Sequence, residues 1–355
     1  MVNNLNSFIR KKSFNSVVFR ETIKRYIAGK IRAFQTEGRF VMSKNLNPIL
    51  YMAELIQRLR TALWEKNFIE ITTPILRQTD ACARFPRFRL EDGRYLREAA
   101  AFALRRNLEY APRIFEIGPC FRKDYLDDTH LQQFMMLDLY QRDATLDDAI
   151  DLCTHLVSLS YKGPFKILSL AKYMQDDLGI DLFNDPLSLE KLQKILLSKY
   201  KKSAYTFTQL VNQYIEEEIE PKSKGSCLIV TEYPVVSEIL GKPKEGAACI
   251  AGNAEFKIEG IEVVNLYQDD PDTNRLMKQG KMYPDHHSID NEIICDLIDK
   301  GIVPAESAGF GIGIERLCRV SLGLSSVQPF IVSEEFNAKQ PTNKTKVSKK
   351  VSVTS

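Results

Sequence analysis

The most constraining feature of this chain is Gly309-Phe310-Gly311-Ile312-Gly313-Ile314-Glu315-Arg316-Leu317, glycine at every second position followed by an acid and an arginine. Glycine is unfavourable inside helices and strands and is kept where a backbone must approach something closely. The residues that follow, Leu317 to Leu322, have spacing compatible with one apolar helix face, which places Arg316 in the first turn of a helix. An arginine presented there by a glycine-packed strand can grip a phosphate in bidentate fashion. Taken alone, the string is equally a packing turn between strand and helix. Its meaning depends on a matching phosphate site elsewhere.

A chain of 355 residues holds one large domain or two modest ones. A net charge of +3 excludes overall polyelectrolyte character, but the charge is uneven. Nine Lys/Arg lie between Arg10 and Arg39 against Glu21 and Glu37, and the stretch from Asn337 to Ser355 holds five lysines and no acid. Each segment reads equally as a phosphate-backbone contact or as a solvated face. The seven cysteines form no Cys-x-x-Cys and no Cys/His cluster, which points to reduced thiols and away from a zinc site. With no run of 18 apolar residues and no signal peptide at Met1-Val2-Asn3-Asn4, the expectation is a soluble cytoplasmic protein without a membrane partner.

Periodicity predicts a basic helix over 18–36 and a helix over 47–66 with apolar Ile49, Met52, Leu55, Ile56, Leu59 and Leu63. A strand ending at Pro74 follows, then a helix over 96–109, a strand over 113–117, a turn at Gly118-Pro119 and a strand over 134–140. Helices are expected over 147–159, 170–178, 187–199, 207–219 and 290–300, and strands over 164–169, 226–231, 247–250 and 254–266. Strands and helices do not alternate regularly, so the fold class is α+β with a mainly antiparallel sheet. The domain reading is a basic helical extension (1–45), a catalytic domain (46–335) and a disordered lysine-rich tail (336–355).

The second phosphate site is sought in Arg113-Ile-Phe-Glu-Ile-Gly-Pro-Cys-Phe-Arg-Lys-Asp124 and the following Thr129-His130-Leu131-Gln132-Gln133-Phe134. Arg122 ends one strand, His130 lies in the loop and Phe134 opens the return strand. A guanidinium, an imidazole and an aromatic ring directed into one cleft suit a nucleotide. A plain hairpin with surface charges accounts for the same residues.

Together these segments resemble the catalytic core of the class II aminoacyl-tRNA synthetases. Asn47–Pro74 is similar to motif 1, Phe121-Arg122-Lys123-Asp124 through His130 and Phe134 to motif 2, and Gly309–Arg316 to motif 3. Gly260-Ile261-Glu262-Val263-Val264-Asn265-Leu266-Tyr267-Gln268-Asp269 resembles the Gly-x-Glu-x-x-Asn-Gly-Tyr-x-Glu strand of the lysine/aspartate/asparagine branch. Ile114–Lys123 is similar to the pyrrolysyl enzyme, and the C-terminal third to the lysyl-synthetase paralogue that modifies elongation factor P. The resemblance implies an antiparallel sheet flanked by helices and a ligase that uses ATP and Mg²⁺ to activate an amino acid as an adenylate. It also implies a homodimer through residues 47–74, and transfer to tRNA. On this resemblance Arg122 and Arg316 are the catalytic pair. Asp124, His130, Phe134, Glu262 and Gly313 complete the ATP site, Glu262 and Asp269 hold the metal, and Ala101, Asn265, Leu266 and Tyr267 form the amino-acid pocket.

Several positions depart from the branch. The acid that grips the substrate ammonium is replaced by Ala101 within Arg97-Glu98-Ala99-Ala100-Ala101-Phe102, and Glu98 substitutes only if the loop is re-routed. Leu266 replaces a glycine and is expected to crowd the pocket, and Asp124 and Asp269 stand where glutamates are usual. Only some 45 residues precede motif 1, too few for the branch's anticodon-binding barrel. Two alternatives therefore stay open: transfer to ammonia or a protein lysine, and a non-catalytic nucleotide- or tRNA-binding paralogue. His286 and His287 match no motif and read as loop residues.

Overall fold

The computed structural model describes residues 47–78, 86–237, 239–283 and 288–331. The expectations for the 18–36 helix, the 1–45 and 336–355 segments, and His286 and His287 lie outside the described residues.

Helix α1 (Pro48–Glu65) begins where Asn47 accepts the Ile49 N–H and Pro48 occupies the first turn, an N-terminus that loses no donor to proline. Its stripe buries Tyr51, Leu55, Leu59, Ala62 and Leu63, against the helix that follows the glycine strand. The chain then pairs β1 (Ile69–Glu70) in parallel with β4 (Arg113–Phe121), and β2 (Leu76–Arg77) with β3 (Tyr95–Leu96). Helix α2 is shorter than its pattern predicts, Ala101–Asn107.

Strand β4 continues through Gly118-Pro119, where a turn is expected, and pairs antiparallel with β5 (Gln133–Arg142). Proline is tolerated because the N–H two residues on, at Phe121, points away from β5 to the Arg97 carbonyl. Alternation puts the missing Pro119 N–H on that same outer side. After α3 (Leu146–Ser158), opened by a Thr145/Asp148 capping box, come β6 (Phe165–Ser169), α4 (Leu170–Leu178), α5 (Ser188–Tyr200) and α6 (Phe207–Tyr214). These helices bury a core of their own around Leu192, Leu210, Tyr214 and Tyr233. Strand β7 (Cys227–Thr231) pairs in parallel with β6, and β8 (Pro243–Lys244) pairs with β9 (Ala247–Ala251).

The single strand expected over 254–266 is two, β10 (Asn253–Ile258) and β11 (Ile261–Gln268), joined at Glu259-Gly260. Both turn residues have positive φ, 53° and 80°, the requirement of a two-residue hairpin whose twist matches its strands. Helices α7 (Thr273–Met282) and α8 (Ile289–Asp299) lead to β12 (Ser307–Gly313) and α9 (Ile314–Leu322). The main sheet has eight strands in the order β1-β4-β5-β12-β11-β10-β7-β6, antiparallel except at its two edge pairs. The class is α+β, as expected. No helix among the described residues is long and apolar enough to cross a membrane.

Candidate functional site

Strand alternation sorts the centre of the sheet into an apolar and a polar face. Ala308, Phe310 and Ile312 are at most 1% exposed, and Phe310 and Ile312 stand in register with Leu266 and Val264 on one side and Leu139 and Leu137 on the other, burying the apolar face. Gly309, Gly311 and Gly313 present the other face, so β12 lays a floor without side chains between β5 and β11. A Cβ on Gly309 would lie 2.6 Å from the Leu139 carbonyl oxygen, and one on Gly311 2.8 Å from Asp138 Oδ1 and 3.3 Å from Met136 Sδ. Gly311 is in register with Asp138 on one side and Asn265 on the other. Above this floor is a cavity of about 490 Å³ lined by residues of the β4–β5 hairpin, α2, β11, α8 and the β12–α9 junction.

The β4–β5 hairpin supplies a cation and a ring. Arg122 lies just past β4, and its guanidinium carbon sits 5.2 Å from the centroid of Phe134. Burial lowers the Arg122 pKa from its ordinary value, opposed by Cys120 and Glu262. In the connecting loop Asp127 accepts the Thr129 N–H (2.6 Å) and the His130 N–H (2.8 Å), and pairs with His130 Nδ1 (3.0 Å). Partial burial raises the Asp127 pKa, but these donors outweigh it and hold the group down at about 2. An ionised Asp127 accepts, so Nδ1 is the hydrogen-bearing nitrogen in this contact.

The β12–α9 junction supplies the second cation. Arg316, in the first turn of α9, donates to the Thr129 carbonyl (3.1 Å) and the Glu262 carbonyl (2.9 Å). One guanidinium thus joins the hairpin loop to β11. Beside it Glu315, 7% exposed, accepts the Met135 N–H at 2.9 Å. Burial pushes its pKa up to about 7, and burial likewise raises Asp138 to about 6 despite its bond from the Ala100 N–H (2.7 Å).

Strand β11 brings Glu262 into this face by a bulge. Phe256 pairs with Val264 and Lys257 with Glu262, leaving Val263 as the extra residue. Glu262 therefore shares the polar face with Asn265 and Tyr267, although its odd spacing to either residue would otherwise put it beneath the sheet. Asp269 is 2% exposed, lies 3.2 Å from Arg105 Nε and accepts the Ser307 hydroxyl. Of the two acids expected to hold a metal, Glu262 and Asp269, the carboxylate of Asp269 meets a guanidinium and a hydroxyl. Among the described residues no group of three His, Cys, Asp or Glu is gathered to hold a metal. A hard cation here fits Glu262 with ligand phosphate oxygens and water, the mixed coordination Mg²⁺ favours.

Ala101, Asp124, His130, Phe134, Arg122, Glu262, Asn265, Tyr267, Asp269, Gly313 and Arg316 all line the one cavity. Leu266 does not. It is 0% exposed on the apolar face, in register with Phe310, so the expectation that it crowds the amino-acid pocket is corrected by strand parity. Glu98 lines the cavity but is held by Arg77 at 2.9 Å, and the same guanidinium grips Asp290 and lies 5.5 Å over Phe102. Burial raises the Glu98 pKa, opposed by Arg77. Sequence reasoning missed Asp138, Tyr140 and Arg105. The first two stand four and six residues after Phe134 on one strand, the same face by simple alternation. Arg105 stands one helical turn after Ala101.

A family model described as tRNA synthetases class II (D, K and N) matches residues 35–333. The lysine–tRNA ligase of Saccharolobus solfataricus is 26% identical over 320 residues, which cover 78% of this chain and 62% of the relative. The probable cytoplasmic lysine–tRNA ligase of Encephalitozoon cuniculi is 24% identical, covering 75% of this chain and 60% of the relative. The lysine–tRNA ligase of Mycoplasma pneumoniae is 26% identical, with 79% and 64% covered. The chain spans roughly three fifths of the length of these curated relatives.

Proposed function

The chain belongs to the class II tRNA synthetase family of the D, K and N type, and from that membership we propose that it activates an amino acid with ATP and transfers the acyl group to tRNA. The observation that carries the reading is the convergence of Arg122, Phe134 and Arg316 on one cavity floored by the glycines of β12. Arg122 binds the α-phosphate and offsets the charge that develops there as the carboxylate attacks. Phe134 stacks on the base, and Arg316 reaches the terminal phosphate. His130 Nε2 faces the phosphate tail with its orientation set by Asp127, and Asp124 supports the same rim. Mg²⁺, held by Glu262 and phosphate oxygens, neutralises phosphate charge when bound. Ala101, Asn265 and Tyr267 line the amino-acid end.

We further infer a cytoplasmic homodimer through residues 47–74. Leu50, Trp64 and Ile69 are between 44% and 57% exposed along that segment, with Ile75 and Leu76 exposed just beyond it, a density of apolar surface suited to a partner copy. The activity is tested by ATP–pyrophosphate exchange over a panel of amino acids, followed by charging of total tRNA. Exchange at background for every amino acid, with ATP bound normally, would sink the reading.

A further inference from the structure

Arg105 carries a buried charge that the adenylation chemistry does not use. It lies on α2, one turn from Ala101, with its side chain 6% exposed and lining the same cavity. Its Nε is 3.2 Å from Asp269, so the two form a neutral pair within the wall. Its Nη2 is buried with no acceptor among the described residues, and Asn265 Oδ1, in the same cavity, is buried with no donor. Native proteins rarely leave such atoms unmatched, and a pocket that does so is shaped for a ligand's complementary groups.

Resting on the adenylation reading, we propose that Arg105 is a specificity-determining residue that selects an amino acid whose side chain ends in a carbonyl or carboxylate oxygen. The pocket brings its own cation. A side chain ending in an ammonium carries only donors, so it would compete with Arg105 for Asp269 and leave Nη2 unmatched. Of the other acids in the lining, Glu98 and Asp290 share Arg77, Asp138 and Glu315 accept the Ala100 and Met135 N–H groups, and Asp124 and Glu262 belong to the phosphate end of the proposed site. Ala101 leaves the helix start with no acid of its own. A substrate oxygen satisfies Nη2, and a substrate N–H satisfies Asn265 Oδ1.

The test is binding, measured by titration calorimetry with the non-hydrolysable sulfamoyl-adenosine analogues of asparagine, glutamine, aspartate, glutamate and lysine. At least one acceptor-bearing analogue is expected to bind at least about tenfold more tightly than the lysyl analogue. A preference for the carboxamides marks a neutral side chain, and a preference for the carboxylates an anionic one. Arg105→Met is expected to erase that preference. Should it misfold around the unpaired Asp269, the charge-balanced pair Arg105→Met with Asp269→Asn is read instead. Lysyl binding equal to the best acceptor analogue, binding of none, or a preference unchanged in the variants each overturns the proposal. Failure of pyrophosphate exchange with these preferences intact overturns only the adenylation reading.

Discussion

Arg97 and Glu116 meet at 2.7 Å inside the protein, with side chains 2% and 6% exposed. Thr73 completes the contact, accepting from Arg97 Nη1 (2.9 Å) and donating both its N–H (3.0 Å) and its hydroxyl (2.7 Å) to Glu116. Arg97 Nε also reaches the Pro119 carbonyl at 2.9 Å. Three distant stretches, the segment after β1, the approach to α2, and β4, are tied by one charge pair. Gly118 is the glycine this requires, since a Cβ there would lie 2.4 Å from Arg97 Nη2.

Removing one partner of a buried ion pair strands the other charge, at a cost of about 3–5 kcal/mol. Arg97→Met and Glu116→Gln are therefore expected to lower the unfolding free energy by that order, read from the denaturant midpoint, far more than exposed Arg94→Met beside Asp92. Equal midpoints for the buried and exposed variants would contradict this account.

Arg316→Ala removes two carbonyl bonds together with the α9 cation proposed to meet phosphate. The expected result is a loss of roughly 10²–10³-fold in pyrophosphate exchange, with thermal stability lowered by no more than about 2 kcal/mol. Exchange rate and melting temperature on the same preparation check it. An exchange rate within threefold of the native protein, taken as roughly no effect, would remove Arg316 from the proposed site.

Gly311→Ala inserts a methyl between Asp138 and Met136 on the cavity floor. Overpacking of this kind costs about 1–3 kcal/mol, and the added carbon narrows the space above Asn265. We expect weaker amino-acid binding with ATP affinity kept, read by calorimetry. Gly313→Ala, where the nearest atom is Arg316 Cδ at 3.6 Å, serves as the milder control.

Glu315 and Asp138 set a pH dependence. Both folded-state pKa values are raised, to about 7 and about 6, so the stability they contribute is full below the ordinary carboxylate range and is lost as pH climbs through those values. The melting temperature is expected to fall between pH 5 and pH 7.5. Glu315 accounts for about 2–3 kcal/mol of the change. Asp127 acts in the opposite sense, but its contribution is lost only as pH drops towards about 2. Calorimetric scans of Glu315→Gln across this range should show a flatter profile, and an unchanged slope would refute the assignment.

Much of the architecture was legible because the period-3.6 and period-2 patterns of α1, β5 and α9 coincide with faces that are in fact buried. The joint between β10 and β11 was hidden, since Glu259-Gly260 interrupts two apolar runs without proline or asparagine, and only positive φ reveals the turn. Pro119 misled for the converse reason: a proline reads as a break, but here its missing donor faces no strand partner. The cavity residues proposed to meet phosphate were readable as a group because they sit in short contiguous motifs. The amino-acid half was not, because Arg105, Asp138 and Asp269 come from three separate elements and matter only through one another. Leu266 shows the same limit, a conspicuous substitution whose meaning is decided by which side of the strand it faces.

The bulge at Val263 works as a frameshift written into the backbone. Upstream of it the side chains of β11 are read in one phase and downstream in the other, so the acid beside Arg316 and the polar residues of the pocket can be spaced oddly and still meet. Pairing without the bulge, with Val263 opposite Lys257, would leave the sheet hydrogen-bonded while swinging Glu262 beneath the floor. A fold of this kind is thus indifferent to a change of pairing that its chemistry cannot survive, and related chains should be compared at this position by register before they are compared by identity.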